Sequence, residues 1–285
     1  MAYKFRIIKI PNYSVIKGLS GRSPFCYPSQ RQDTIPHQKV GPVLGIRSGE
    51  KVLFFAGGFG DWARAIADEK VEVHYTDVLK QVVGWMKRSK RKGGVASVRT
   101  KDAVWLPEER CDWVVSFEPV PLTGRALPIT MLRALVKSKG MKLVYSPSGR
   151  NFFPEPWRIL RRLLNTVKAV YDVGVEKKTP KIRSSDRDGV VGEIRHIVFS
   201  VYTNPEARRK AEIDLEVIGL LQPRKRDERV VSRQTAVKTI MRKLSHLNAT
   251  ESEIREAINR IRLFTKKVYA LEKEKYLAQA KIKLN

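Results

Sequence analysis

A glycine-rich turn between an apolar run and a helix-like segment contains the residues best suited to hold a ligand. The apolar run 52–55 stops at A-G-G-F-G-D, which contains Gly57, Gly58 and Gly60. Because glycine has no Cβ, its backbone can approach a ligand closely, and a helix that starts after the turn presents free N–H groups. The turn therefore predicts a site for a nucleotide-like ligand.

Two ligand classes fit this turn. Gly58, Gly60 and Ala63 satisfy the G-x-G-x-x-A fingerprint of dinucleotide-binding folds, and Asp77 lies near the distance expected for a ribose contact. The same geometry also serves S-adenosylmethionine, which has a ribose and an adenine but no pyrophosphate. The turn alone leaves both ligands open.

The elements that would position the turn alternate between strand and helix. The predicted strands are 51–55, 71–77, 95–99, 111–117 and 141–146, and the predicted helices are 61–69, 78–90, 124–138 and 155–170. This alternation indicates βαβ units, a parallel sheet and helices on both of its faces.

Two further strand-like segments, 172–178 and 195–202, end this block. The stretch between them cannot hold a crossover helix, so we expect an antiparallel hairpin. The predicted fold is α/β, a seven-stranded, mostly parallel, doubly wound sheet with a terminal antiparallel hairpin and a C-terminal helical extension. The expected domains are a basic N-terminal strand and irregular arm at 1–44, a Rossmann-like domain at 45–205, and a basic helical extension at 206–285.

Motifs along the block are similar to those of class I S-adenosylmethionine-dependent methyltransferases over roughly residues 45–205. V-L-F-F-A-G-G-F-G-D resembles the first motif of that family, K-D-A-V-W-L-P its adenine-binding segment, and C-D-W-V-V-S-F-E-P-V-P-L its fourth strand. The resemblance implies that Asp77 holds the ribose hydroxyls and Asp102 the adenine amino group. The cofactor-binding residues it implies are Ala56, Gly57, Gly58, Gly60, Asp77, Asp102, Ala103 and Phe117.

Two positions depart from the pattern of that family. Phe54 stands where the first strand usually carries a carboxylate that orients the cofactor. Glu118 follows the fourth strand in F-E-P-V-P, in place of the D/N-P-P-Y/F of amino-methylating enzymes. Glu118 is the candidate catalytic base, since a carboxylate in a dry cleft can have a raised pKa, and its alternative is a solvated or supporting role.

The charge of the chain points to a polyanionic partner. The sequence has 56 Lys and Arg against 29 Asp and Glu, a net charge of +27 that is spread over its whole length. RNA or DNA is the default partner of such a surface. A thermophile's charged surface is the alternative, but it predicts cations that are balanced by carboxylates.

Basic residues in three segments are candidates for RNA contact. The arm has arginines beside aromatic rings, which suits base stacking with phosphate contact, although it could also simply pack across the domain. Basic side chains on two predicted helices are phosphate-contact candidates, or solvated faces. The candidates are Arg22, Tyr27, Arg31, Lys87, Arg88, Lys90, Arg91, Arg161 and Arg162.

The C-terminal part is predicted to form two helices. Thr250 and Glu253 have the spacing of a capping box, and the apolar residues that follow recur at steps of three and four. Such a seam must be buried, and the simpler structural explanation is a helical hairpin that packs on itself or on the main domain. The alternative, an RNA-binding or partner-binding module, rests on its basic faces.

The remaining composition limits the classes of function. Two cysteines, Cys26 and Cys111, exclude a disulfide framework, and Cys111 is predicted to be a buried thiol. The four histidines have no metal-site spacing, so we expect no metal. The first residues lack a signal-peptide pattern, and no apolar run reaches the roughly 18 residues of a membrane span, so we expect a cytoplasmic location.

Three functions are compatible with these patterns. The first is a methyltransferase that uses S-adenosylmethionine and acts on ribosomal or transfer RNA. The second is a methyltransferase-like protein without activity that binds RNA or the ribosome, which Phe54 favours. The third is a small-molecule methyltransferase of the quinone type, suggested by A-G-G-x-G-D but disfavoured by the charge.

Overall fold

The computed structural model describes most of the chain beyond its N-terminal arm. The described residues are 35–55, 60–67, 69–77, 80–88, 94–100, 110–117, 126–145, 156–185, 191–221, 233–264 and 266–267. The predicted N-terminal strand and the rest of the arm to residue 34 lie outside these ranges.

Ten strands and eight helices are described in these ranges. The strands are β1 Ile35–Pro36, β2 Lys51–Phe55, β3 Glu72–Asp77, β4 Val95–Thr100, β5 Trp113–Phe117, β6 Gly140–Tyr145, β7 Gly174–Lys178, β8 Lys181–Ser185, β9 Val191–Arg195 and β10 Ile197–Tyr202. The helices are α1 Gly41–Leu44, α2 Asp61–Ala67, α3 Lys80–Arg88, α4 Ala126–Lys137, α5 Pro156–Tyr171, α6 Pro205–Leu221, α7 Arg233–Lys243 and α8, residues 251–264.

Seven strands form one sheet in the order β4-β3-β2-β5-β6-β10-β7. The neighbours from β4 to β6 are parallel, whereas β10 is antiparallel to both β6 and β7. The predicted seven-stranded sheet and its antiparallel last pair are therefore confirmed. This is the fold that the resemblance to class I methyltransferases implies.

A second, three-stranded sheet was not predicted. It has the order β1-β8-β9, all antiparallel, and β8 and β9 lie in the stretch that the sequence analysis treats as a connection between β7 and β10. This stretch cannot hold a crossover helix, but it does hold a hairpin. β9 has no buried residue and β8 buries a single apolar side chain, Ile182, so both lack the apolar runs that mark the strands of the large sheet.

The two faces of the large sheet bury two separate apolar cores. One face packs against α4, α5 and α6, and the other against α1, α2 and α3 with Ile182 of the small sheet. The strands β2 and β5 are buried on both faces, as central parallel strands must be. The carboxyl ends of β2, β3 and β5 thus belong to a sheet that is packed on both sides.

The C-terminal helices form a third core with α6. The predicted apolar seam is confirmed as far as Phe264, because Ile254, Ala257, Ile261 and Phe264 are all buried, and its last two positions, Val268 and Leu271, lie outside the described residues. The predicted capping box is also present: the Thr250 N–H donates to Glu253 Oε2 at 2.8 Å, and the Glu253 N–H donates to Thr250 Oγ1 at 3.2 Å. Helix α6 joins this core to the main sheet, because it also packs on α4 and α5.

Burial tests the prediction made for Cys111. Cys111 is buried as predicted, and burial raises the pKa of its thiol to about 11. In the described part of the chain, none of the helices combines the length and the apolar character needed to span a bilayer.

Candidate functional site

The carboxyl ends of β2, β3 and β5 meet at one edge of the sheet. The chain runs outward from β2 to β3 and β4 and then returns to β5 on the other side of β2, so the strand order reverses between β2 and β5. Ligands of open α/β sheets bind at such a reversal, outside the carboxyl ends of the strands. The predicted glycine turn follows β2 at this point.

Strand register brings Asp77 and Phe117 to the two sides of the turn. Thr76 pairs with Phe55, so Asp77 lies one residue beyond the end of β2. Val115 pairs with Phe54, so Phe117 also lies one residue beyond that end, on the other side. With strands about 4.8 Å apart, the two backbones are separated by about 10 Å across the start of the turn.

Gly60 closes the turn in a conformation that favours glycine. Its φ is +76°, and a Cβ at this position would lie 2.5 Å from Met86 Sδ on α3. Any other residue would therefore strain the backbone and displace Met86. Asp61 comes next and pairs with Arg64 in the first turn of α2.

Asp77 ends β3 as a buried carboxylate with 6% of its surface exposed. The residue before it, Thr76, donates its hydroxyl to the Phe54 carbonyl at 3.4 Å, which ties the ends of β3 and β2 together. A carboxylate in this position suits an acceptor role toward the hydroxyls of a ribose.

The side chain of Phe54 belongs to an apolar core. It is fully buried in the core that β2 shares with α2 and α3, beside Tyr75 and Val115 of the neighbouring strands. A carboxylate here would sit unpaired in an apolar core, at a large cost in stability. The departure from the family pattern is therefore built into the packing of this chain.

An aromatic cluster forms one wall of the candidate site, next to α2. The rings of Trp62 and Phe117 stack with centroids 4.3 Å apart and an interplanar angle of 15°, and His196 meets the edge of Trp62 at 5.1 Å. Burial lowers the pKa of His196 to about 4, so this imidazole is neutral at pH 7. Trp62 was not predicted as part of the site, although it stands two residues after Gly60.

A buried hydroxyl lies beside Phe117. Ser116 is fully buried at the carboxyl end of β5, and its Oγ has no hydrogen-bond partner within the described ranges. An unsatisfied buried polar atom is rare and often marks the place of a water or ligand. It is a second polar group at the edge where the turn lies.

Several of the predicted site residues lie outside the described residues. These are Arg22, Tyr27, Arg31, Ala56, Gly57, Gly58, Lys90, Arg91, Asp102, Ala103 and Glu118. Their assignments remain predictions.

The two described pairs of basic candidates are on opposite layers. Lys87 and Arg88 end α3, whereas Arg161 and Arg162 lie in the first half of α5, and all four are exposed. A helix that follows a parallel strand starts at the carboxyl edge and runs back toward the other edge. Arg161 and Arg162 are therefore nearer to the edge that holds Asp77 and Phe117.

No family model matches the chain, and no curated protein matches it. Solved structures do. A proposed RNA methyltransferase from Pyrococcus horikoshii is 18% identical, covers 58% of this chain and 79% of its own, and has a TM-score of 0.42. A dimethyladenosine transferase from Plasmodium falciparum is 14% identical, with 73% and 74% covered and a TM-score of 0.42. A SAM-dependent methyltransferase from Aquifex aeolicus is 16% identical, with 68% and 99% covered and a TM-score of 0.41.

Proposed function

We propose that this chain is an S-adenosylmethionine-dependent methyltransferase that acts on RNA. The observation that carries the proposal is the placement of Asp77 and Phe117 on either side of the glycine turn, where the strand order reverses. A parallel sheet offers one such crevice, and this one combines a turn that ends in a left-handed glycine with a buried carboxylate.

The described residues fit this cofactor. The carboxylate of Asp77 can accept both ribose hydroxyls, and the left-handed backbone of Gly60 lets the chain turn tightly into α2 against Met86. The buried hydroxyl of Ser116 is available to a polar group of the ligand. Asp102 and Ala103 complete the proposed site on the adenine side. S-adenosylmethionine supplies a methyl group on a positively charged sulfur.

The protein's own contribution to this reaction is mainly positioning. A site that fixes the acceptor atom in line with the methyl group converts a bimolecular step into an effectively unimolecular one. Trp62 and Phe117 exclude water from one wall and hold it rigid. Glu118, directly after Phe117, is the proposed base or orienting group for the acceptor.

The charge distribution supports RNA as the acceptor. The net charge of +27 would favour any polyanion, and an apolar quinone precursor gains nothing from it. Ribosomal and transfer RNA are the proposed targets. We assign methyl transfer to residues 45–205 and additional RNA contacts to the arm 1–44 and the extension 206–285.

Two measurements on the full chain test this function. Calorimetry should detect binding of S-adenosylmethionine, and a radiolabelled methyl group should be transferred from it to RNA. Mass spectrometry of RNA from a strain without the gene should reveal one missing methyl group. Failure of folded protein to bind S-adenosylmethionine, with RNA present, would rule out the proposal.

Replacing Arg161 and Arg162 by Ala should weaken RNA binding more than replacing Lys87 and Arg88. Both changes remove two exposed positive charges, but only the first pair lies near the edge of the proposed site. Removing two phosphate contacts should reduce the slope of log K against log salt by about 1–2. Filter binding at several salt concentrations measures this slope. Equal effects of the two double variants would contradict the proposal that RNA binds across the edge of the sheet that holds Asp77 and Phe117.

The buried Phe54 favours a second candidate, a methyltransferase-like RNA-binding protein without activity. The carboxylate that usually orients the cofactor is replaced by a ring that belongs to the core. This candidate predicts salt-sensitive RNA binding without S-adenosylmethionine binding, so calorimetry separates the two functions.

A further inference from the structure

A cavity of about 340 Å³ opens at the opposite edge of the sheet from the glycine turn. Its walls come from the amino-terminal halves of β5 and β6, from β7 and β10 and from the segment around α1, and they include Leu44, Arg47, Trp113, Lys142, Val198 and Tyr202. Strands of five or six residues at about 3.3 Å each place it roughly 16–20 Å from the turn. Its volume lies in the range of small-ligand pockets, about 300–1,000 Å³.

A buried lysine forms the inner part of this cavity. Lys142 is only 2% exposed and stands in the middle of β6, in an otherwise apolar strand. Its Nζ lies 3.8 Å from the centre of the Trp113 ring and 5.5 Å from that of Tyr202. Burying a cation is costly, and two aromatic rings offset only part of that cost.

The carboxylates beside the cavity are already engaged by other groups. Glu50 accepts hydrogen bonds from Trp113 Nε1 at 3.0 Å and from Lys139 Nζ at 3.1 Å. Lys139 also pairs with Asp112 at 2.7 Å, while Glu176 pairs with Lys178 at 3.1 Å.

The Tyr202 hydroxyl donates to the same Glu176 at 2.9 Å. Among the residues that the structure describes, no carboxylate lies within ion-pair distance of Lys142 Nζ or of the Arg47 guanidinium. Within the described residues, the cavity therefore has two cations with no direct ion-pair partner, Lys142 in its buried part and Arg47 at its exposed rim.

We propose that this cavity binds a phosphate-class anion, held between the buried ammonium of Lys142 and the guanidinium of Arg47. The anion is either a free phosphate monoester or a phosphate of bound RNA. The apolar wall of Val43, Leu44 and Val198 accommodates the body that carries the phosphate. This site is distinct from the proposed cofactor site, and it does not depend on methyl transfer.

The protonation of Lys142 gives the site a characteristic pH dependence. Burial lowers the pKa of Lys142 to about 8, with a smaller contribution from Lys178, while Glu176 and Glu50 act in the opposite direction. The pKa of Lys139 is raised by its hydrogen bonds to Asp112 and Glu50, so that charge persists. Arg47 faces the cavity from the α1 segment. Anion affinity should therefore fall as the pH rises through about 8.

Calorimetry with inorganic phosphate, AMP and a short single-stranded RNA tests the proposal on the full chain. At low salt, Lys142→Met should weaken binding by about tenfold or more, the effect of losing a charge-assisted contact. The matched control Lys168→Met removes an exposed lysine of α5 and should leave the affinity within about twofold of wild type. Arg47→Met should also weaken binding, which keeps the test decisive if Lys142→Met does not fold.

The thermal stability of Lys142→Met shows whether Lys142 stabilises the fold or is kept at a cost in stability. Lys142→Met should unfold at a higher temperature than wild type below pH 8, because it removes a buried charge, and this gain should shrink toward pH 10.5. If phosphate or AMP binds and Lys142→Met weakens that binding, the natural ligand is a free phosphate compound. If only RNA binds in a way that depends on Lys142, the ligand is a phosphate of RNA. The proposal is overturned if none of the three probes binds, or if Lys142→Met binds all three as tightly as wild type does.

Discussion

Substitution of Asp214 by Ala is expected to lower the free energy of unfolding by about 3–5 kcal/mol, the usual cost of breaking a buried ion pair. Asp214 is fully buried on α6, and Arg260 of α8 donates to it from Nη2 at 2.8 Å and from Nε at 3.2 Å. The Tyr171 hydroxyl at the end of α5 donates to the same carboxylate at 2.8 Å. One carboxylate thus joins three helices.

The loss of stability arises because Asp214→Ala leaves buried polar groups without their partner. The side chain of Arg260 is only 13% exposed, so without Asp214 it would be a nearly buried cation without this partner. The buried hydroxyl of Tyr171 would lose the carboxylate that accepts its hydrogen bond. Burial already raises the pKa of Tyr171 well above its ordinary value, so this hydroxyl keeps its proton. Urea unfolding measures the change, with an unaltered m value as the check on two-state behaviour.

Two further variants sharpen this test. Glu216→Ala removes an exposed carboxylate from the same helix and should change the free energy of unfolding by no more than about 0.5 kcal/mol. The triple variant Asp214→Leu, Arg260→Met, Tyr171→Phe replaces all three polar groups and should recover most of the lost stability. A loss under about 1 kcal/mol in Asp214→Ala would contradict the assigned role.

The large sheet could be predicted because its signals are local. The strands β2, β5 and β6 contain apolar runs such as K-V-L-F-F, and β2, β3, β5 and β6 are each followed by a helical pattern. The small sheet was missed because neither β8 nor β9 has an apolar run: β8 buries one apolar side chain, Ile182, and β9 buries none. In β8 only Ile182, Ser184 and Ser185 are buried, and Ser, Asp and Gly in the surrounding stretch favour a loop.

The partners of a buried face are harder to predict than the face itself. The three-and-four spacing of the last helix correctly indicates that Ile254 and Ile261 are buried. It does not indicate that α6 packs against them, or that Asp214 meets Arg260 across 46 positions. Such pairs depend on tertiary packing, which periodicity does not encode.

The candidate site shows the same limit. The order of residues along β3 was sufficient to place Asp77 at the carboxyl edge, and register then aligned it with Phe117. Lys142 gave a weak signal, a lysine in the strand M-K-L-V-Y, because strand alternation does not tell which polar residue faces a cavity. Its aromatic neighbours come from β5 and β10, which are distant in the sequence.

Substitution of Asp77 by Asn is expected to weaken S-adenosylmethionine binding by about 10- to 100-fold. The physical reason is that a hydrogen bond to a charged acceptor contributes about 1.5–3 kcal/mol, and 1.4 kcal/mol is a factor of ten. The amide of Asn keeps the size of the side chain but replaces one acceptor oxygen by a donor, which cannot accept from a ribose hydroxyl. Calorimetry with purified protein measures the affinity.

Glu72→Gln is the matched control, because it makes the same chemical change at the other end of β3. Glu72 is half-exposed and pairs with Lys51 at 3.4 Å and with His74 at 2.7 Å, on the edge away from the glycine turn. Its loss should leave cofactor affinity within about twofold of wild type. Thermal unfolding of both variants shows whether Asp77→Asn keeps its fold, since Asp77 is buried. Cofactor affinity that is equal in folded Asp77→Asn and wild type would place the ribose elsewhere on the sheet edge.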